Sequence, residues 1–157
     1  MKIKLINNES CLTILRGVLL VIIVSMLHLS ACTTAETAIE PVSTVDSATT
    51  LKVARSVLRG YFGGSIGSGV GDSMKPFYGE HTVMVITPAE FNDLQAGMMV
   101  AYQNMKGKRI VHQLVRKRGK KWIAQGLNNQ VMDEEWVTAD NFLGVVYAVF
   151  NSRSLDN

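Results

Sequence analysis

Several features that assign a sequence quickly to a protein class are scarce in this chain. It has two cysteines, Cys11 and Cys32, and three prolines among its 157 residues, and no segment repeats. Its one long apolar run, residues 17–29, is shorter than the roughly 20 residues that a membrane-spanning helix needs. The glycine-rich run 60–69 is not followed by Gly-Lys-Ser or Gly-Lys-Thr, which excludes a phosphate-binding loop.

The first residues have the organisation of an export signal. Lys2, Lys4 and Arg16 lie in a polar start, and the apolar run after them ends in Leu29-Ser30-Ala31-Cys32. This ending resembles the bacterial lipobox, in which the signal peptide is removed before a cysteine that then receives lipid. We therefore predict a signal peptide over residues 1–31 and lipidation of Cys32. The alternative is an uncleaved N-terminal anchor in which Cys32 is an incidental thiol.

Removal of residues 1–31 would change both the cysteine count and the charge. Cys11 would be lost and Cys32 would carry lipid, so no disulfide could form within the mature chain. The net charge of +3 would fall almost to neutrality, because the leader holds three basic residues and one acidic residue. By the same resemblance, the residue after the cysteine, a threonine rather than an aspartate, directs the protein to the periplasmic face of the outer membrane.

The remaining chain divides into a tether and one domain. Residues 32–50 are rich in threonine, serine and alanine, which predicts an extended tether from the membrane. Residues 51–157 are enough for one domain with its own core. Apolar residues at helical spacing predict a short N-terminal amphipathic helix over 51–61, which docks either on a membrane or on the domain's own core.

The rest of the domain has the pattern of a mainly β fold. The glycine-rich run 60–69 is expected to break any regular element, and residues 89–94 to form one helical turn. The final strand is apolar on both faces, which predicts that it is buried. Five strands are predicted, over residues 82–86, 98–102, 109–116, 121–125 and 142–150.

Eight basic residues crowd between Lys106 and Lys121. Nucleic acid is not the expected partner, because Trp122 is the one aromatic residue near a cluster that lies at two turns. The remaining interpretations are attraction to anionic lipid, at about 1 kcal/mol per basic residue near the surface, and solvated hairpin tips that keep strand edges from pairing.

Three residues could together support nucleophilic catalysis. Ser73 lies in Gly71-Asp72-Ser73-Met74-Lys75-Pro76, and His112 lies inside an apolar strand. Asp133 opens an acidic run. A serine hydroxyl needs a base to become a good nucleophile, and a carboxylate can orient the base. Each residue also has a structural interpretation: a turn serine, a hydrogen-bonded core histidine and a solvated turn aspartate.

Five segments, in order and spacing across residues 65–150, resemble type I signal peptidases and their LexA-like relatives. The segments are Gly71-Asp72-Ser73-Met74-Lys75-Pro76, Ala96-Gly97-Met98-Met99-Val100-Ala101-Tyr102, Ile110-Val111-His112-Gln113-Leu114-Val115, Gly126-Leu127-Asn128-Asn129 with Asp133, and Leu143-Gly144-Val145-Val146. The resemblance implies a signal peptidase/LexA-like β-ribbon peptidase fold in which Ser73 attacks the scissile carbonyl. Most bacterial members use a lysine as base, and His112 is at that position here, as in the endoplasmic-reticulum-type and archaeal enzymes. Asp133 matches the aspartate that those enzymes pair with the histidine.

The chain departs from the family pattern at several places. Leu127 replaces an acidic residue, and Gly71 stands where many members carry a hydroxyl that helps to bind the oxyanion. The backbone N–H of Ser73 is then the expected oxyanion donor. The glycine-rich segment occupies the place of a substrate-binding strand, and a lipobox replaces the membrane-spanning anchor.

The sequence therefore predicts a membrane-anchored serine endopeptidase of the bacterial cell envelope that cleaves extended peptide or protein segments near the membrane. It predicts no cofactor and no metal. The alternative is a catalytically degenerate peptide-binding lipoprotein of the same fold. A third hypothesis is self-cleavage within residues 33–70, as in the LexA-like relatives.

Overall fold

The architecture is taken from a computed structural model that describes residues 39–153. The predicted signal peptide and the lipidated Cys32 lie outside the described residues. The described part is mainly β, with one α-helix, one short 3₁₀ turn and six strands. These are α1 (Ser47–Leu58), β1 (Ser65–Ser68), β2 (Thr82–Thr87), the 3₁₀ turn Phe91–Asp93, β3 (Met99–Gln103), β4 (Arg109–Arg118), β5 (Lys121–Gln125) and β6 (Phe142–Asn151).

The six strands form one antiparallel sheet in the order β1-β2-β6-β3-β4-β5. In a flat sheet β1 and β4 would be about 19 Å apart, since neighbouring strands are spaced by roughly 4.8 Å. Instead, Arg109 Nη1 on β4 lies 3.5 Å from Ser65 Oγ on β1. The sheet is therefore strongly curled. Register shifts in three strand pairs assist the bending.

Two apolar clusters hold the described part together. One fills the curl of β3, β4 and β5, and the other lies between α1 and the β1–β2 side of the sheet. Leu114, Trp122 and Val137 belong to the first cluster and are almost fully buried. All six residues of β2 are buried, so this strand has protein on both faces.

The helix α1 packs on the domain's own core. Ala54 is fully buried against Val83 and Val85 of β2. The helix begins at Ser47, inside the segment predicted to be an extended tether, and ends before Tyr61. Asp46 caps it by accepting a hydrogen bond from the Thr49 N–H at 2.9 Å, and this bond lowers the pKa of Asp46. Among residues 39–153, α1 is the only α-helix, and it lacks the length and hydropathy of a membrane span.

Two sequence predictions about strands were wrong. The glycine-rich run does contain a strand, β1, because residues 65–68 pair with the buried strand β2 along their whole length. The last strand, β6, has partners on both edges but is not buried on both faces, since Leu143 and Tyr147 are exposed. Its apolar composition reflects a central position in the sheet rather than full burial.

Candidate active site

Ser73, His112 and Asp133 form a continuous hydrogen-bonded chain. Ser73 Oγ lies 3.0 Å from His112 Nε2, and His112 Nδ1 lies 2.6 Å from Asp133 Oδ2. A carboxylate can only accept a hydrogen bond, so the proton of a neutral imidazole belongs on Nδ1. This tautomer leaves Nε2 as the acceptor for the Ser73 hydroxyl proton.

His112 is placed by the strand that carries it. It lies in β4 opposite Val100 of β3 and is 8 % exposed, with Leu114 beyond it in the core. The apolar pattern of β4 therefore buries most of the ring, while the outward edge of the ring faces Ser73. The structural interpretation of His112 as a hydrogen-bonded core histidine is thus partly right, since the ring is buried and both nitrogens have partners.

Asp133 is held by β5, the strand next to β4. Its backbone N–H donates to the carbonyl of Ala124 at 2.9 Å. Four residues later, Val137 exchanges two backbone hydrogen bonds with Trp122. These bonds attach the loop after β5 to the sheet and turn Asp133 inward. Its side chain is 12 % exposed, so it is not a solvated turn residue.

Ser73 lies on a turn fixed by the Gly126-Leu127-Asn128-Asn129 segment. The Asn128 N–H donates to the Ser73 carbonyl at 2.8 Å, and the Asn128 side chain donates to the Asp72 carbonyl at 3.1 Å. A Cβ added to Gly126 would lie 2.6 Å from the Ser73 carbonyl oxygen, so only glycine fits there. These contacts explain the glycine and the first asparagine of that segment, and they do not involve the Leu127 side chain.

Tyr102 is a fourth member of the cluster that the sequence pattern marked only as a strand residue. Its hydroxyl donates to Asp133 Oδ2 at 2.7 Å, the same oxygen that accepts from His112. The side chain is 2 % exposed, and burial together with this hydrogen bond raises the pKa of Tyr102. A buried tyrosine hydroxyl needs a partner, and that requirement was the available sequence signal.

Lys75, the lysine nearest to Ser73 in sequence, is engaged elsewhere. Its Nζ lies 2.8 Å from Asp72 Oδ1 and 3.9 Å from Glu40 Oε2. The hydrogen bond and charge of Asp72 raise the pKa of Lys75. An ammonium held in its charged form cannot take a proton from serine.

The expected oxyanion donor has no hydrogen-bond partner in the described part of the chain. Among residues 39–153, the Ser73 N–H makes no hydrogen bond. Gly71 has φ +81°, and a Cβ added to it would have no neighbour within 4 Å among the same residues. The turn therefore leaves space on that side but offers no hydroxyl. One backbone donor is present where the resemblance leads one to expect two donors.

A groove of about 470 Å³ opens beside Ser73 and His112. Its walls are β1 with the glycine-rich turn after it, and the first half of β4. In the described chain, β1 pairs only with β2, and β5 pairs with β4 only from Gln113 onward. Both walls therefore present strand edges whose backbone groups have no partner strand.

Self-cleavage within residues 33–70 meets an obstacle in this fold. Residues 47–58 form α1, and residues 65–68 form the groove wall β1. Cleavage requires an extended segment in the groove, so a cut within residues 47–58 would require α1 to unfold and a cut within residues 65–68 would require β1 to leave the sheet.

No model of a protein family and no curated protein sequence matches the chain. Within the part of the chain that the structure describes, no three His, Cys, Asp or Glu side chains are grouped so that they could hold a metal ion.

Proposed function

We propose that the protein is a serine endopeptidase of the signal peptidase/LexA-like class, anchored to the bacterial cell envelope through lipid on Cys32. The observation that carries this proposal is the chain of hydrogen bonds from Ser73 through His112 to Asp133, with lengths of 3.0 and 2.6 Å. A serine, an imidazole and a carboxylate in this order are the parts of a serine hydrolase.

The chemistry follows from the tautomer of the imidazole. Ser73 Oγ attacks the scissile carbonyl carbon while His112 Nε2 takes the hydroxyl proton, and Asp133 stabilises the imidazolium. The negative oxygen of the tetrahedral intermediate accepts from the Ser73 N–H. The C–N bond then breaks as His112 returns the proton to the leaving amine. Water attacks the acyl-enzyme with His112 again as base, which releases the carboxylate and restores Ser73.

The groove supports an extended peptide as the substrate. A peptide laid between β1 and the first half of β4 would find free backbone groups on both sides, and strand addition is a common mode of peptide binding. The small residues before the scissile bond remain an expectation from the family resemblance.

Cleavage of peptides by serine and histidine variants tests the proposal. We expect the full-length protein in detergent to cleave extended peptides with small residues before the scissile bond. Ser73→Ala and His112→Ala should each reduce kcat/KM by about 10⁴-fold, because the members of such a triad act as a unit. Mass spectrometry of the products gives both the rate and the cut site.

Matched controls are available on the same chain. Ser56→Ala removes an exposed serine of α1, and His81→Ala removes a histidine outside the hydrogen-bonded chain; neither should alter the rate by more than about twofold. Equal cleavage by wild type, Ser73→Ala and His112→Ala would overturn the assignment.

A peptide-binding protein without turnover is the second candidate. The single oxyanion donor favours it, because losing one such donor costs roughly 10²- to 10³-fold in rate. Peptide binding that Ser73→Ala leaves unchanged, together with no product from the wild type, would support this candidate.

A further inference from the structure

The groove beside Ser73 has a charged end. Lys108 and Arg109 form its wall at the start of β4, and no aspartate or glutamate lines it. In residues 39–153, neither Lys108 nor Arg109 has a carboxylate within 4.0 Å. Two cations therefore stand at this end of the groove, and neither has an ion-pair partner among residues 39–153.

Arg109 reaches across the groove to the opposite wall. Its Nη1 lies 3.5 Å from Ser65 Oγ, at the upper limit for a hydrogen bond. A guanidinium carries five N–H donors in a fork that matches a carboxylate. Its contact with Ser65 uses one of them, so the others can bind a ligand carboxylate without the loss of an existing ion pair.

The distance to the catalytic residues fixes where the carboxylate would lie. His112 and Arg109 are three residues apart on one strand, which corresponds to about 10 Å along β4. An extended peptide beside β4 advances by the same roughly 3.3 Å per residue. Successive strand residues project to opposite faces, so a side chain about three residues from the scissile bond would meet Arg109, while Lys108 adds positive charge nearby.

We propose that Arg109, with the charge of Lys108 beside it, selects substrates with an aspartate or glutamate about three residues from the scissile bond. This specificity rests on the proposed peptidase function of the same groove. The apolar part of the groove, with Ile66, Met74, Met84 and Ile110, takes the residues between that carboxylate and the cut.

A set of peptides that differ in one charge tests the specificity. Peptides with a constant cut site would carry Glu, Gln or Lys at positions two to four on either side of the scissile bond. The full-length protein should cleave one Glu peptide at least about tenfold faster, in kcat/KM, than its Lys counterpart, as expected for a charge-assisted hydrogen bond. The ratio of kcat/KM between the Glu and Lys peptides should decrease when the salt concentration is raised from 0.1 M to 1 M. Salt screens the attraction between charged groups that are exposed to solvent.

Variants of Arg109 test whether this residue sets the preference. Arg109→Glu should reverse the preference toward Lys, and Arg109→Gln should remove it without reversal. Lys120→Glu makes the same change in net charge at the exposed β4–β5 turn and should leave the ratio unchanged. A wild type that cleaves Glu and Lys peptides equally, or a preference that survives Arg109→Glu, would overturn the proposal.

Binding separates this proposal from the peptidase function itself. If the wild type cleaves no peptide, fluorescence anisotropy with the same labelled peptides still measures whether the Glu peptide binds about tenfold more tightly and whether Arg109→Glu abolishes the difference. Vesicles with and without anionic lipid complete the test. An Arg109→Glu variant that loses vesicle binding but keeps its peptide preference would assign the cations to lipid and contradict the proposal.

Discussion

At the scale of single residues, the candidate site also contains side chains outside the Ser73–His112–Asp133 chain. Tyr102 donates to the carboxylate that holds the imidazole, and Asn128 holds the carbonyl of the serine. The first contact orients the Asp133 carboxylate toward His112, and the second positions the turn that carries Ser73. Both therefore act on groups that lie within about 3 Å of their partners. Small losses of position at such sites reduce rates more than they reduce stability.

Replacement of Tyr102 by phenylalanine tests its positioning role. Tyr102→Phe removes one hydrogen bond to a charged group, so we expect kcat to fall by about 10- to 100-fold with KM little changed. Kinetics on the peptides described above would measure both constants. Tyr147→Phe, at an exposed tyrosine of β6, is the matched control and should retain wild-type kcat. A Tyr102→Phe variant with unchanged kcat would show that the hydroxyl only fills the core.

The close approach at Gly126 gives a second prediction at this scale. In Gly126→Ala the new methyl group would lie 2.6 Å from the Ser73 carbonyl oxygen, so the nucleophile turn must move. We expect a loss of about 10²-fold in kcat/KM, because a shift of about 1 Å is enough for such a loss. Gly60→Ala, whose nearest neighbour would be at an ordinary 3.5 Å, should behave as wild type. Equal activity of the two variants would mean that the turn tolerates the displacement.

At the scale of elements, three adjacent strands and one loop bring the site together. β4 carries His112, β3 carries Tyr102, and β5 attaches the loop that holds Asp133. The bounds of β5 agree with the sequence pattern, those of β2, β4 and β6 differ by one or two residues at one end, and β3 is shifted by one residue at both ends. Short strands with alternating apolar and polar residues can be predicted from the sequence, because successive side chains project to opposite faces of the sheet. The short strand β1 could not be predicted in this way, because its glycine and serines do not alternate with apolar residues.

The packing of α1 leads to a prediction about stability. Ala54 is fully buried against β2, so Ala54→Leu would add three carbon atoms to a filled space. We expect a loss of about 1–3 kcal/mol in the free energy of unfolding, as for overpacked cores. Urea unfolding followed by circular dichroism would measure it. Val53→Ala, at the exposed neighbouring position, should stay within about 0.5 kcal/mol of wild type. A neutral Ala54→Leu would instead indicate that α1 leaves the sheet.

At the scale of the whole molecule, the curl of the sheet creates the groove. β1 and β4 are four places apart in the sheet order, yet both line the cavity beside Ser73. The curl also brings Arg109 to Ser65 at the far end of the groove. Neither contact can be read from any one strand, because sequence patterns specify faces and not the bending of a sheet.

The pH dependence of stability is a property of the whole molecule. Burial and the Asp133 hydrogen bond raise the pKa of Tyr102, and burial raises the pKa of Tyr78. A free tyrosine ionises near pH 10, so above that pH the unfolded chain loses protons that the folded protein keeps. The protonated tyrosines therefore contribute their full stabilisation of the folded protein below about pH 10. This contribution is lost as the pH rises toward the higher pKa values of the folded state. Stability should therefore fall above about pH 10.

Comparison of wild type and Tyr102→Phe by urea unfolding from pH 8 to 11 would check this expectation. Above about pH 10, the free energy of unfolding should fall less steeply with pH in the variant than in wild type. The difference in slope should correspond to at most one bound proton, the one on the Tyr102 hydroxyl. Ser56→Ala, which removes no ionisable group from the exposed face of α1, should retain the wild-type slope. Identical slopes for wild type and Tyr102→Phe would contradict the inferred burial effect.

The sequence by itself determined the mainly β class, most strand bounds and the three candidate residues Ser73, His112 and Asp133, because periodicity and residue chemistry are local properties. It left open whether these residues meet, and only the tertiary structure decided this, by pairing β4 with β3 and β5 and by fixing the Ser73 turn to Asn128. The same holds for Tyr102, for α1 packing on the core, and for the two cations of the groove. These features depend on strand order and sheet curvature, which are set by contacts between residues far apart in the chain.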